Sequence, residues 1–120
     1  MPIVRIDIQS GKSTHYKRTL LHGVREAICG ALGVPEPRVI QRIVESSAED
    51  IDAPGKQADR LTIIEISMLP GRDAELKSSL YGAIVARLGV EPGIPPTDVM
   101  VIVHDPPAEC FCIGGEMPGG

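Results

Sequence analysis

Residues 1–12 read MPIVRIDIQSGK and residues 61–72 read LTIIEISMLPGR; the two stretches open the same pattern twice, 60 positions apart. Ile3 falls on Ile63, Ile6 on Ile66, Gly11 on Gly71 and Lys12 on Arg72. The correspondence continues with Lys17 and Lys77, Leu20 and Leu80, Pro35 and Pro95, and Val39 and Val99. The apolar positions Val4, Ile8, Tyr16, Val24 and Ile28 meet Ile64, Met68, Leu76, Ile84 and Leu88. A shared glycine, a following cation and two matching apolar faces at one shift identify a tandem duplication.

Each copy reads as β-α-β. In the first, Val4, Ile6 and Ile8 alternate with Arg5 and Asp7, which predicts a strand over about Pro2 to Ile8 with one dry side. Gly11 ends it. Ser13 or Thr14 then offers an N-cap, and Tyr16, Leu20, Val24, Ile28 and Ala31 recur at helical spacing to about Leu32. Gly33 stops the helix, Pro35 and Pro37 forbid its continuation, and Val39 to Val44 forms a second strand. The polar stretch Ser46 to Arg60, with a turn at Pro54 and Gly55, reads as a linker or a hairpin.

Strands joined across a helix are parallel with a right-handed crossover. The expectation is therefore an α+β fold in which the duplicated β-α-β units pair antiparallel into a four-stranded mixed sheet with two helices on one face. The chain 1–120 is expected to be a single domain, with repeat one over 2–45, the linker or hairpin over 46–60 and repeat two over 61–117. The other sheet face, holding Ile3 and Ile63 beside charged residues, is expected to be buried against other subunits.

Composition narrows the function. Hydrophobic residues make up 42% of the chain but Tyr16, Tyr81 and Phe111 are its three aromatics, so the core is aliphatic. A formal net charge of −4 argues against a nucleic-acid partner, which would need a basic surplus on one face. Arg5 and Asp7 interrupt the apolar start, and no apolar run reaches the ~18 residues of a membrane span, so a cytoplasmic location is expected. Three cysteines suit a reducing compartment better than a disulfide framework. Cys110 and Cys112 with His104 nearby make half a zinc site, and no metal or other cofactor is expected. Cys29 reads as helix packing, His15 and His22 as exposed helix residues.

Pro2 carries a possible chemistry. If Met1 is removed, its ring nitrogen becomes a free secondary amine held at a strand start, where proline is tolerated. An α-amino group titrates near 8, and burial beside cations would lower that value, letting it accept a proton at neutral pH. A retained Met1 would leave an ordinary amide there.

The start PIVRIDIQSGKS resembles that of 4-oxalocrotonate tautomerases, where an N-terminal proline opens a strand and a Gly-cation-Ser turn leads into the helix. The segment FCIGGEM, Phe111 to Met117, is similar to the same family's C-terminal signature, with Cys112 in place of a glycine. Between them the resemblance to the tautomerase superfamily covers nearly the whole chain as two fused copies of its building block, a tautomerase/MIF-like fold. It implies a homotrimer of two-unit chains in place of a hexamer of single units. It also implies a keto-enol tautomerase whose amino-terminal proline is the general base, acting on a small carboxylate substrate, a 2-hydroxy-dienoate or related 2-oxo acid.

On that resemblance Pro2 is the base and Lys12 stands where the family has an arginine at the mouth of the first helix. Arg72 holds the equivalent place in the second unit, and in an assembled site the second unit of one chain can face the first unit of another. The family's strand arginine falls on Ile40, and on Met100 in the second unit. Arg38 and Arg42, two residues to either side and hence on the same strand face, are its candidate replacements: Arg42 for the catalytic role, Arg38 for substrate binding. A shift of two residues is ~6.7 Å. Phe111 matches an aromatic wall with Ile113 as its apolar neighbour, while Gly114 and Gly115 allow a tight hairpin. The same superfamily admits decarboxylase and dehalogenase or hydratase relatives, whose acid before the second strand would correspond to Arg38, with Glu36 as the nearest acid. A non-catalytic interaction or regulatory module on the same fold is the alternative outside enzymes.

Overall fold

The computed structural model describes residues 1–118. Strand β1 spans Ile3–Gln9, helix α1 Thr14–Leu32, β2 Ile40–Ser46, β3 Thr62–Ser67, α2 Ala74–Val90 and β4 Val99–His104. Short 3-10 turns precede β2 and β4, at Glu36–Arg38 and Pro96–Asp98, as the duplication requires.

The helix starts are built alike from different residues. Ser13 Oγ accepts from the Tyr16 N–H at 3.0 Å, and Asp73, its counterpart, accepts from the Leu76 N–H at 2.8 Å. Each satisfies a backbone donor that the first helical turn leaves unpaired. Gly33 closes α1 at φ 67, a left-handed conformation that costs glycine nothing.

The sheet order is β2-β1-β3-β4, with β1 parallel to β2, β3 parallel to β4, and β1 antiparallel to β3 at the centre. Alternation sends Val4, Ile6 and Ile8 with Ile64, Ile66 and Met68 into the core, all at 0–3% exposure. Leu20, Val24 and Ile28 of α1 and Leu80, Ile84 and Leu88 of α2 cover them. At Gly23 the helices come close: an added Cβ would stand 3.2 Å from Arg87 Cγ. The duplicated apolar positions are thus two halves of one core.

The register puts Ile3, Arg5, Asp7 and Gln9 of β1 on the uncovered face with Ile40, Arg42 and Val44 of β2, Ile63, Glu65 and Ser67 of β3, and Met100, Ile102 and His104 of β4. Ile40, Met100 and Ile102 are 41–52% exposed there. Residues 47–61 hold a 3-10 turn at Ala48–Asp50 and a bend at Pro54 and Gly55, closed by Lys56 N–H on the Ala53 carbonyl at 3.1 Å. The connection is a linker, and a hairpin is absent from it among the described residues. No helix among the described residues is long and apolar enough to cross a membrane.

Candidate functional site

Pro2 is buried immediately before β1. Its carbonyl accepts the Ile40 N–H at 3.1 Å, so the ladder that pairs β1 with β2 begins at Pro2. Two cations are brought to this end of the sheet by topology. Arg38 lies in the turn just before β2. Arg72 follows β3, whose last residue Ser67 is registered opposite Ile3. Arg72 is half-buried and its guanidinium donates to the Leu69 carbonyl at 3.4 Å, which fixes its stem.

Electrostatics at the chain start follow from this placement. Burial pushes the Met1 α-amino group below its ordinary 8.0, and the guanidinium groups of Arg72 and then Arg38 push it the same way. All three effects disfavour the ammonium form of an amine here.

The other sequence candidates lie elsewhere. Lys12 follows the far end of β1, seven strand residues from Pro2, a separation of roughly 20 Å. Its ammonium sits 5.1 Å from the centroid of the Tyr16 ring. Within one chain, then, the cations acting on the chain-start amine are Arg72 and Arg38. Arg38 and Arg42 do not share a strand face as expected. Arg38 precedes the strand in a 3-10 turn, and Arg42 is exposed on the open sheet face in register with Arg5. The β2 position beside Pro2 is Ile40.

Phe111 and Ile113 are half-buried beyond β4, outside the core cluster. Ile113 and Glu116 exchange backbone hydrogen bonds of 2.8 and 3.2 Å around Gly114 and Gly115. Both glycines have positive φ, 62 and 84, as a two-residue hairpin turn of the primed kind demands. Cys110 and Cys112 are exposed, Cys29 packs against the core, and His15 and His22 are exposed on α1. No group of three or more metal-ligating side chains comes together among the described residues.

Duplication offers a second place equivalent to that around Pro2, with Thr62, Lys12 and Asp98 at the positions of Pro2, Arg72 and Arg38. It is charged differently. Asp98 is 4% exposed, and its Oδ2 lies 3.3 Å from Arg60 Nε, without hydrogen-bond geometry. Thr62 is fully buried and its hydroxyl donates to the Arg60 carbonyl at 3.0 Å. A buried carboxylate holding the chain's own arginine makes no receptor for an acid. A cavity of about 420 Å³ between the 47–61 linker and the open sheet face is also unsuited to one, because Asp7, Asp50, Asp52 and Glu65 outnumber Arg5 along its wall.

A family model described as "Tautomerase enzyme" matches residues 39–114, a span from the start of β2 to the terminal hairpin that leaves Pro2 outside it. The chain is 28% identical over 108 residues to the probable tautomerase YusQ of Bacillus subtilis strain 168, covering 86% of this chain and 85% of that protein. Its fold is similar to that of a fused 4-OT solved as an asymmetric trimer, with TM-score 0.87 at 23% identity, over 96% of this chain and 94% of the other. It is similar too to the FG41 malonate semialdehyde decarboxylase inhibited by 3-bromopropiolate, with TM-score 0.80 at 25% identity, over 93% and 88% of the two chains.

Proposed function

The chain belongs to the tautomerase enzyme family, and from that premise we propose that it is a keto-enol tautomerase whose general base is the ring nitrogen of Pro2, freed by removal of Met1. Arg72 and Arg38 grip the carboxylate of a 2-hydroxy-dienoate or related 2-oxo acid. The free amine then takes the proton from the enol oxygen and returns it to carbon, leaving a 2-oxo acid with no net change in atoms or charge. A base positioned for such a transfer contributes ~10²–10⁴-fold.

The observation that carries the reading is the convergence of Arg38 and Arg72 on the chain start. At the Met1 amine, burial, Arg72 and Arg38 all disfavour the charged form, and an amine freed at Pro2, one residue on, would meet the same two cations. Decarboxylase or hydratase chemistry on a protonated proline is the second reading, favoured by the likeness to the malonate semialdehyde decarboxylase. It needs a carboxylate nearby to hold the ammonium, and the position just before β2 carries Arg38 instead.

Three chains together complete the molecule in this reading. The exposed Ile40, Met100 and Ile102 give the open face an apolar surface that other copies would cover, and the fused 4-OT neighbour is described as a trimer. Three free cysteines accord with work in the cytoplasm.

Intact mass and one assay test the proposal. The purified protein should lack the initiator methionine and should ketonise 2-hydroxymuconate or phenylenolpyruvate in a spectrophotometric assay. Pro2→Ala should lose at least ~10²-fold in kcat/KM while keeping its far-UV circular dichroism. A fully retained Met1 in an active protein, or a Pro2→Ala variant as fast as wild type, defeats it.

A further inference from the structure

The two helices cover the sheet on the side away from its open face, and they leave between them a cavity of about 240 Å³. His15, Arg18, Thr19 and His22 of α1 line it with Arg87 of α2 and Glu91, the residue that caps α2. His15, Arg18 and His22 recur at spacings of three and four, so they share one helix face. Arg87 crosses to them over Gly23, where an added Cβ would stand 3.2 Å from its Cγ. Its guanidinium pairs with Glu26, and the same carboxylate oxygen lies 3.0 Å from His22 Nε2. Glu26 thereby holds a guanidinium and an imidazole beside the cavity.

The duplication supplies a comparison within the chain. At a shift of 60 positions His15, Arg18, Thr19 and His22 answer to Glu75, Ser78, Ser79 and Gly82, while Arg87 and Glu91 answer to Ala27 and Ala31. Gly23, which makes room for Arg87, answers to Ala83, which needs to make room only for Ala27. The same helix packing therefore forms at its other end without any of these cations, and the fold does not account for their gathering.

We propose that this groove is a binding site for a small phosphate dianion, free or as the head of a compact monoester. Every lining side chain is polar, whereas sites for drug-sized ligands are mostly apolar and occupy roughly 300–1,000 Å³. The guanidinium forks of Arg18 and Arg87 outweigh the Glu91 carboxylate and match phosphate oxygens in pairs. The Thr19 hydroxyl and the imidazoles add donors, and a protonated imidazole adds charge. His15 lies in the first turn of α1, which follows the end of β1 remote from Pro2. The site is thus separate from Arg38 and Arg72, and it stands whether or not Pro2 is the base.

Residue-resolved NMR of the full chain tests the proposal. Inorganic phosphate, titrated at constant ionic strength, should shift the amides of residues 15–22 and 87–91 along one saturable curve. Arg18→Gln, at an exposed position, should weaken that binding by about tenfold or more through loss of a charge-assisted hydrogen bond. Glu91→Gln should tighten it, an outcome that no loss of folding can produce, and Arg72→Ala should leave it unchanged. Methyl phosphate binding as tightly as inorganic phosphate supports a monoester head, and weaker binding of methyl phosphate supports the free ion. Shifts that never saturate, shifts confined to the chain start, or an affinity indifferent to both Arg18→Gln and Glu91→Gln overturn the proposal.

Discussion

The Ile40 N–H donates to the Pro2 carbonyl oxygen at 3.1 Å, the first rung between two parallel strands. That bond ties the beginning of β2 to the beginning of β1 and so delivers Arg38, two residues upstream, to the amine's side of the sheet. Ser67 opposite Ile3 performs the corresponding service for Arg72 from β3. Three predictions rest on this arrangement and the open face beside it, and a fourth on the buried Asp98 of the second repeat.

Arg72→Ala and Arg38→Ala should each raise KM for the acid, by about tenfold or more, with a smaller effect on kcat, since a charge-assisted hydrogen bond to a carboxylate contributes ~1.5–3 kcal/mol. The half-buried Arg72 should show the larger effect. Steady-state kinetics checks this, and an unchanged KM in both variants removes them from the carboxylate subsite.

The acid limb of the pH profile should report the amine. Burial, Arg72 and Arg38 all disfavour the charged form of the Met1 amine, and the same surroundings would act on an amine freed at Pro2, so kcat/KM should rise with pH through a midpoint below the ordinary α-amino value of about 8. Removing a neighbouring cation makes protonation easier. Arg72→Ala should therefore move the midpoint upward, and Arg38→Ala should move it the same way by less. A downward movement contradicts the assignment of those cations.

Sedimentation should find particles of three times the 12.8 kDa chain. Ile102, 41% exposed on β4's outer face, makes no contribution to the chain's own core. Ile102→Asp should consequently dissociate the assembly and reduce activity while leaving the helical circular dichroism intact. A monomeric wild type would refute the trimer.

The Arg60–Asp98 pair should respond unequally to its two deletions. Arg60→Ala leaves a carboxylate, 5% exposed, without its cation and should cost about 1–3 kcal/mol in urea unfolding. Asp98→Asn removes the buried charge and lets Arg60, 45% exposed, return to water, so it should cost less. The reverse order would show that Arg60 contributes through packing instead.

Much of the architecture was legible because local chemistry and global fold agree in this chain. Ser13, Gly33 and the stripe through Leu20, Val24 and Ile28 bound α1 at Thr14 and Leu32, as their spacing requires. The strand predicted over Pro2 to Ile8 is displaced by one residue, to Ile3–Gln9, because proline has no N–H for the ladder. The site was less legible. Lys12 belongs to the motif that opens with Pro2, yet a rigid extended strand carries it to the opposite end of the sheet. Arg38 and Arg42 are evenly spaced about Ile40, but two residues share a strand face only where both lie in the strand, and Pro35 and Pro37 set Arg38 in a turn.

The sequence by itself determined the duplicated β-α-β pattern, the two halves of the core and the unique place of Pro2, because periodicity, caps and glycine stops act between near neighbours in the chain. Which cations stand around that proline was decided by the tertiary structure alone. Antiparallel pairing of β1 with β3 brings Arg72, seventy positions away in sequence, to the start of β1 and leaves Lys12 at its end. Such long-range neighbours are set by strand order and register, which depend on the burial of the whole sheet.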